Sequence, residues 1–461
     1  MPYKRNKMKK LFLLLLLTSG LQAQGQIQLG GTAVDTSTII SGIDIPWTIL
    51  WGPDNHLWMT ERYGRISRVN PQTGQQTVLR IVSDCYDIGE SGLLGMALYP
   101  NFVDTPWVYY VYTYQQGNQI RERLVRSTYN AQTQTLGNDT TLLNDIPGNS
   151  THNGSRLLFL PDRTFLMTTG DAQNLQAPLN PANLAGKVLR MLPNGGIPAN
   201  NPTPGSRVYT LGHRNAQGIL LHPNGRIYSS EHGPNADDEI NEIIAGRNYG
   251  WPTVSGLCDN ANEIAYCNAN DVKVPMRVWT PTIAPAGMIW YDHPRLPVFR
   301  KRIILTTLKN TRLYVMELDS AGNQIISEQQ YLNNVYGRLR DIVADPEGNI
   351  YLATNGVNWT NDQPFTHRIV KLSAAWSNTS LATVSIENGA QVYPMPLLET
   401  SRLQVKPEWV GKRVLITDVQ GRTLHSFTAR EEISLLDAAA WPQGLLFLQI
   451  EGVSGALKLM R

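Results

Sequence analysis

His152, in THNGSRL, is followed nineteen residues on by Asp171, in TTGDA. A histidine that removes a proton needs a partner to fix its tautomer and steady the imidazolium, and a carboxylate supplies both. A loop histidine bonded to backbone would leave the same trace. In LGHRNAQG, Arg214 offers a planar fork of donors beside Asn215, able to grip a carboxylate or an oxyanion, or to make a surface salt bridge. Lys309 in TTLKNTRL and the pair Arg338 and Arg340 in YGRLRDIV bring the cations to four, a set suited to a small polyanion. On an extended segment the two arginines face the same side. Glu90, in DIGESGLLGMALYP, sits among glycines that let a backbone approach a ligand closely. Residues 231–242 read EHGPNADDEINE, five acids in twelve positions. A hard cation such as calcium takes carboxylate and carbonyl oxygens together, and Gly233-Pro234 followed by Asp237, Asp238 and Glu239 offers both kinds. The EF-hand spacing is absent, and a hydrated turn fits the composition equally.

These residues need a scaffold, and a recurring phrase supplies one. A Pro with a turn-forming neighbour, followed by a short β-branched or aromatic run, occurs at Pro53, Pro100, Pro161, Pro223, Pro297 and Pro346. Such a phrase reads as a turn feeding a buried strand, taken here as the inner strand of each unit. Several copies lead to a second strand, as in GRISRVNPQTG, GKVLRMLPNGG, TRLYVMELDSAGN and HRIVKLSAA. The gaps between markers, 47, 61, 62, 74 and 49 residues, suit units of roughly 40 to 50 residues plus insertions. The expected fold is all-β, a six-bladed β-propeller over residues 24–376, with a sandwich of similar strands as the competing arrangement. A sustained 3.6-residue apolar period is almost nowhere present, which argues against Rossmann and barrel folds.

The chain has 461 residues, 42% hydrophobic and 17% charged, enough to bury a large core and not the composition of a disordered protein. Residues 1–23 place five Lys or Arg before the apolar run Leu11 to Leu17 and end at Ala23, the pattern of a signal peptide and of export. Without those five cations the formal charge of +3 becomes −2, which gives no reason to expect a nucleic-acid partner. No later segment is long and apolar enough for a transmembrane helix. Three cysteines make no disulfide framework, although Cys258 and Cys267 could pair and leave Cys85 over.

Composition changes near Ser377. A polar linker, 377–387, precedes alternating strands over 388–461 that read as a small β-sandwich without a catalytic cluster. With VYPMP, DVQGRTL and WPQGLLFLQI in order, this tail resembles the C-terminal sorting domain of type IX secretion, which implies that secretion machinery as a partner. Met395 and Leu445 depart from the usual Asn and Tyr, and a carbohydrate-binding or purely structural sandwich is the other reading.

From about Ile45 to Leu372, TILWGPDNHLWMTER, GLLGMALYP, GKVLRMLPNGGIPANNP, YTLGHRNAQG, SEHGPNADDEIN, GRNYGWP, TIAPAGM and GRLRDIVADPEGNIYLATN follow one another. In these motifs the chain resembles the soluble quinoprotein sugar dehydrogenases, the PQQ-dependent glucose and aldose dehydrogenases. The resemblance implies a six-bladed propeller that oxidises the C1 hydroxyl of an aldose sugar to a lactone by hydride transfer to PQQ, with electrons passing to an unidentified acceptor. By the same resemblance His152 is the proton acceptor and Asp171 its orienting carboxylate. Arg214 and Asn215 contact quinone and sugar, and Lys309, Arg338 and Arg340 surround the cofactor's carboxylates and quinone oxygens. The carbonyls of Gly233 and Pro234 ligate a calcium at PQQ, and Glu239 and Tyr249, assisted by Asp238, a second, structural calcium. Glu90 stands where the better-known glucose enzymes carry Gln. Segments 174–185 and 251–282 are shorter than theirs, which favours the aldose branch with broad sugar preference. A calcium-dependent propeller lactonase and a non-catalytic glycan-binding propeller are the alternatives.

Overall fold

The computed structural model describes residues 25–356, 367–374, 384–385, 389–451 and 456–461; the expected signal peptide and most of the expected linker lie outside them. The chain divides into two compact units, 1–375 and 376–461. In the first, six antiparallel sheets of four or five strands follow one another. Their first strands are Pro46–Trp51, Leu93–Leu98, Gly154–Phe159, Ala216–Leu221, Pro285–Tyr291 and Leu339–Ala344. Each lies against the next, and the sixth returns to the first, closing a ring around a central axis. This is the six-bladed propeller expected.

One expectation about the blades is corrected. The strand that follows each Pro turn is the second of its blade, not the innermost. In blades 1, 3, 4 and 6 these second strands are Leu57–Glu61, Phe165–Thr169, Ile227–Glu231 and Ile350–Thr354, buried at all five positions. Neighbouring blades cover both faces of such a strand, so its sequence is continuously apolar or small instead of alternating. The innermost strand is the one before the turn. Because the two run antiparallel, residues that precede first strands and residues that follow second strands meet at one end of the ring. His152, Arg214 and Glu90 are of the former kind; Asp171, Gly233 and Lys309 are of the latter.

The sixth blade is completed from the other end of the propeller chain. Its third strand, His367–Ala374, pairs with Thr32–Ile43, which in turn pairs with Gly25–Leu29. The single α-helix among the described residues, Ala261–Asn270, lies in the long connection of blade 4, where Cys258 and Cys267 are bonded; Cys85, between blades 1 and 2, forms no disulfide. Among the described residues no helix is long and apolar enough to cross a membrane.

The second unit is two four-stranded sheets. One holds Val384–Ser385, Gln391–Tyr393, Thr400–Gln404 and Ile433–Asp437; the other Thr423–Thr428, Arg413–Asp418, Leu445–Ile450 and Leu457–Met460. Pairing thus begins at Val384, inside the stretch read as linker. Alternate residues such as Leu403, Ile416, Leu448 and Leu459 meet in one core, as a sandwich requires.

Candidate active site

At the end of the ring where the first strands begin lies a cavity of about 550 Å³. His152, Glu90, Arg214, Gly233, Pro234, Asp238, Lys309, Arg338 and Arg340 all line it, brought from six loops and, for Asp238 and Arg340, the strands that follow two of them. The His152 backbone sits in the left-handed region at φ 59°, a conformation that functional sites hold at some cost. Its Nδ1 lies 2.8 Å from Asp171 Oδ1, and its N–H donates to Glu90 Oε2 at 3.3 Å. Asp171 is 1% exposed and stands behind the wall, where its carboxylate also accepts from Trp251 Nε1 at 2.9 Å and Gln173 N at 2.8 Å. With Nδ1–H donated to the carboxylate, Nε2 carries the lone pair that can take a proton.

Arg214 is fixed by its backbone as much as by its side chain. Glu231 Oε1 accepts from the N–H groups of both Arg214 and Asn215. The guanidinium donates to His232 O at 3.1 Å and lies 5.4 Å from the Trp251 ring centroid. Burial lowers its pKa, against the raising effect of Asp171, Glu231, Glu90 and Asp238. Arg340 is 7% exposed; burial first, then Arg156 and Arg338, lower it to about 9. Its Nη1 donates to Gln217 Oε1 at 2.8 Å. Lys309 bonds Thr282 Oγ1 at the exposed rim.

Three expected residues take different places. Asn215 is fully buried and off the cavity wall, its Oδ1 accepting from Gly154 N and Gln217 Nε2 and its Nδ2 left without a partner. Asp238 does not stand with Glu239. Its Oδ1 accepts from Gly233 N at 2.8 Å and its Oδ2 from Ile283 and Ala284 N at 2.6 Å each, so it braces the cavity's backbone. Tyr249 has its hydroxyl committed to Glu242 O and Ile244 N, leaving only its main chain to an ion.

A second, small cavity of about 10 Å³, room for one ion or water, adjoins the first and is lined by Glu231, Glu239 and Tyr249 among others. Burial, then the charge on Glu231, pushes Glu239 up to about 8. Nearby Asn241 Oδ1 is buried without a partner. Among the described residues no three His, Cys, Asp or Glu side chains cluster, so a cation here would rely on two carboxylates with amide and carbonyl oxygens. Gly233 has no room for a side chain, because a Cβ would meet Ala236 O at 1.9 Å. Among the described residues, neither the Gly233 nor the Pro234 carbonyl accepts a hydrogen bond.

Sequence reasoning missed Trp47, Arg62, Gln217, His232 and Asn355 on the wall. Arg62, His232 and Asn355 each follow a second strand directly, and that register would have found them. His232 Nε2 lies 2.8 Å from Pro285 O, and burial, with Arg340 and Arg214 nearby, lowers it to about 3, so it is neutral.

Fold and site together define a six-bladed propeller with a cation-rich cavity at one end and the His152–Asp171 pair at its wall. Residues 43–360 match the Glucose / Sorbosone dehydrogenase family, and the chain belongs to it. It is 32% identical over 407 residues to the quinoprotein glucose dehydrogenase B of Acinetobacter calcoaceticus, covering 70% of this chain and 85% of that protein. With the aldose sugar dehydrogenase YliI of Escherichia coli it shares 27% over 338 residues, 70% of this chain and 90% of that one. The PQQ-bound aldose sugar dehydrogenase of Streptomyces coelicolor superposes with a TM-score of 0.64 at 30% identity, over 74% of this chain and 98% of that chain.

Proposed function

We propose that this protein is an exported aldose dehydrogenase that uses PQQ and calcium. The observation that carries the reading is the His152–Asp171 pair at 2.8 Å on the wall of a cation-rich cavity. The residues fit the cofactor. Arg62, Arg214, Lys309, Arg338 and Arg340 answer a polycarboxylate, and the Gly233 and Pro234 carbonyls offer oxygens to calcium. When bound, PQQ supplies an electron-poor quinone carbonyl that accepts two electrons as hydride. His152 Nε2 takes the proton from the sugar's C1 hydroxyl as the C–H bond breaks, Asp171 holds the ring and steadies its positive charge, and Arg214 and Arg340 stabilise negative charge developing in the cavity. Glu239 and Glu231, with the Tyr249 main chain, would hold a second calcium that keeps the adjoining turn rigid. Neither a lactonase nor a glycan-binding module calls for both the cation set and the histidine pair.

The test is to add PQQ and calcium to the mature protein and follow glucose- and other aldose-dependent dye reduction. Wild type should turn over and His152→Ala should bind PQQ without turnover. A wild type that reduces no dye with any aldose overturns the enzyme reading; full activity in His152→Ala overturns only the base. The tail is proposed to be a type IX sorting domain and the N-terminal segment its export signal. Deleting residues 376–461 should then strand the protein in the periplasm, whereas unchanged delivery outside the cell would reject that role.

A further inference from the structure

One buried guanidinium joins four of the six blades on the propeller axis. Arg156, on the first strand of blade 3, donates from Nε to Gln217 O of blade 4 at 2.6 Å. Its Nη1 reaches Thr48 Oγ1 of blade 1 at 3.2 Å and Asp341 Oδ2 of blade 6 at 2.9 Å, and its Nη2 reaches Arg340 O at 3.4 Å. Trp47 lies beneath it, 4.2 Å from guanidinium carbon to ring centroid. In a ring of six, blades 3 and 6 face each other across the axis, as do blades 1 and 4. Arg156 and Asp341, 6% and 5% exposed, therefore form a spoke across the channel. The carboxylate packs so closely on blade 5 that a Cβ at Gly287 would meet Asp341 Oδ1 at 1.9 Å.

The spoke separates two different spaces. On one side Trp47, Gln217 and Arg340 line the active-site cavity. Toward the other ends of the same strands Leu50, Trp51, Leu157, Phe159 and Val343 line an apolar space of about 610 Å³, and Arg156 lines neither. A buried ion pair is a poor device for stability alone, since well-packed apolar residues often do as well. Its contacts suggest another use. The Arg340 guanidinium has one good side-chain bond, to Gln217, and a long one of 3.4 Å to Asn355; Arg156 holds the backbone of both Gln217 and Arg340.

We propose that Arg156 is a positioning residue that sets Gln217 and Arg340 at the floor of the cofactor cavity, an inference resting on the PQQ reading above. The experiment is a double-mutant cycle on PQQ affinity, measured by absorbance and fluorescence titration of the full chain in calcium, with circular dichroism to establish folding. Arg156→Met should weaken PQQ binding about tenfold or more, and Arg156→Met/Arg340→Met should bind no more weakly than Arg340→Met alone. Arg156→Lys, which keeps the charge and loses the fork, should behave as Arg156→Met does. If Arg156→Met does not fold, Arg156→Lys takes its place in the cycle and should show the same non-additivity with Arg340→Met. Additive losses, or wild-type affinity in Arg156→Lys, would overturn the positioning role while leaving the function standing. Wild type that binds no PQQ would remove both.

Discussion

Asp171 touches neither cavity nor solvent, yet it decides what His152 can do. Its two oxygens are shared among the imidazole, the Trp251 indole and the Gln173 amide, so ring orientation and tautomer are set together. Asp171→Asn keeps the shape and removes the charge. It should lower kcat about 10²- to 10⁴-fold while PQQ affinity stays near wild type, a split read by turnover beside cofactor titration. Glu90 acts differently, because it is on the wall and its charge reaches both Arg214 and Arg340. Glu90→Gln removes an anion facing an anionic cofactor and should tighten PQQ binding roughly threefold to tenfold, most at low salt. Unchanged affinity at low salt would place that carboxylate outside the cofactor's field. At this scale the cavity's charged residues were largely legible, since type and motif order named His152, Arg214, Lys309, Arg338 and Arg340. His232 was not, because what makes it neutral is burial and the charges on Arg340 and Arg214, which the fold brings beside it and which the residues around it in sequence do not announce.

Strands, unlike side chains, announced themselves by composition but not by rank. The Pro-turn phrase counted the blades correctly and named the wrong strand as innermost, because a strand sandwiched between neighbouring blades is as thoroughly buried as one on the axis. Burial between blades also carries a titratable group. Glu122, on the third strand of blade 2, is wholly buried against blade 3, with Ser155 Oγ donating to one oxygen at 2.9 Å and the other oxygen unpartnered. Burial raises its pKa well above the ordinary 4.5, more than the Ser155 bond lowers it. The folded chain therefore holds a proton that the unfolded chain releases above about pH 4.5. The contribution to stability is fully present below that pH and is lost as pH rises through the folded value. Glu122→Gln abolishes the titration, so its melting temperature should match wild type near pH 4.5 and exceed it near pH 8. Parallel pH profiles for the two proteins would show that Glu122 is already ionised in the fold.

For the molecule as a whole, what matters is that the ring closes, and no motif marks how. Residues 25–43 contain no Pro turn, and the strand they pair with begins at His367, more than three hundred positions away. An alternating segment states that it will pair, not with what. Thr32–Ile43 covers the third strand of blade 6 and contributes Val34, Ile39 and Ile43 to the core, the last two packed with Leu57, Met59 and Tyr351. Removing residues 25–43 exposes a row of unpaired N–H and C=O groups and strips away four buried aliphatic side chains, these three and Leu29, each about 1.5–3 kcal/mol. Their sum, an upper estimate, is comparable to the roughly 5–15 kcal/mol that holds a whole domain together. A chain starting at residue 44 should therefore melt far below the 25–461 protein and aggregate through blade 6, as read by thermal unfolding and size-exclusion chromatography. A synthetic peptide of residues 25–43, supplied in excess, should restore monomer and raise the melting temperature with its concentration, because it binds only the folded ring. If the shortened chain stayed monomeric with an unchanged melt, the N-terminal strand would be decoration on a ring already closed by its first strands.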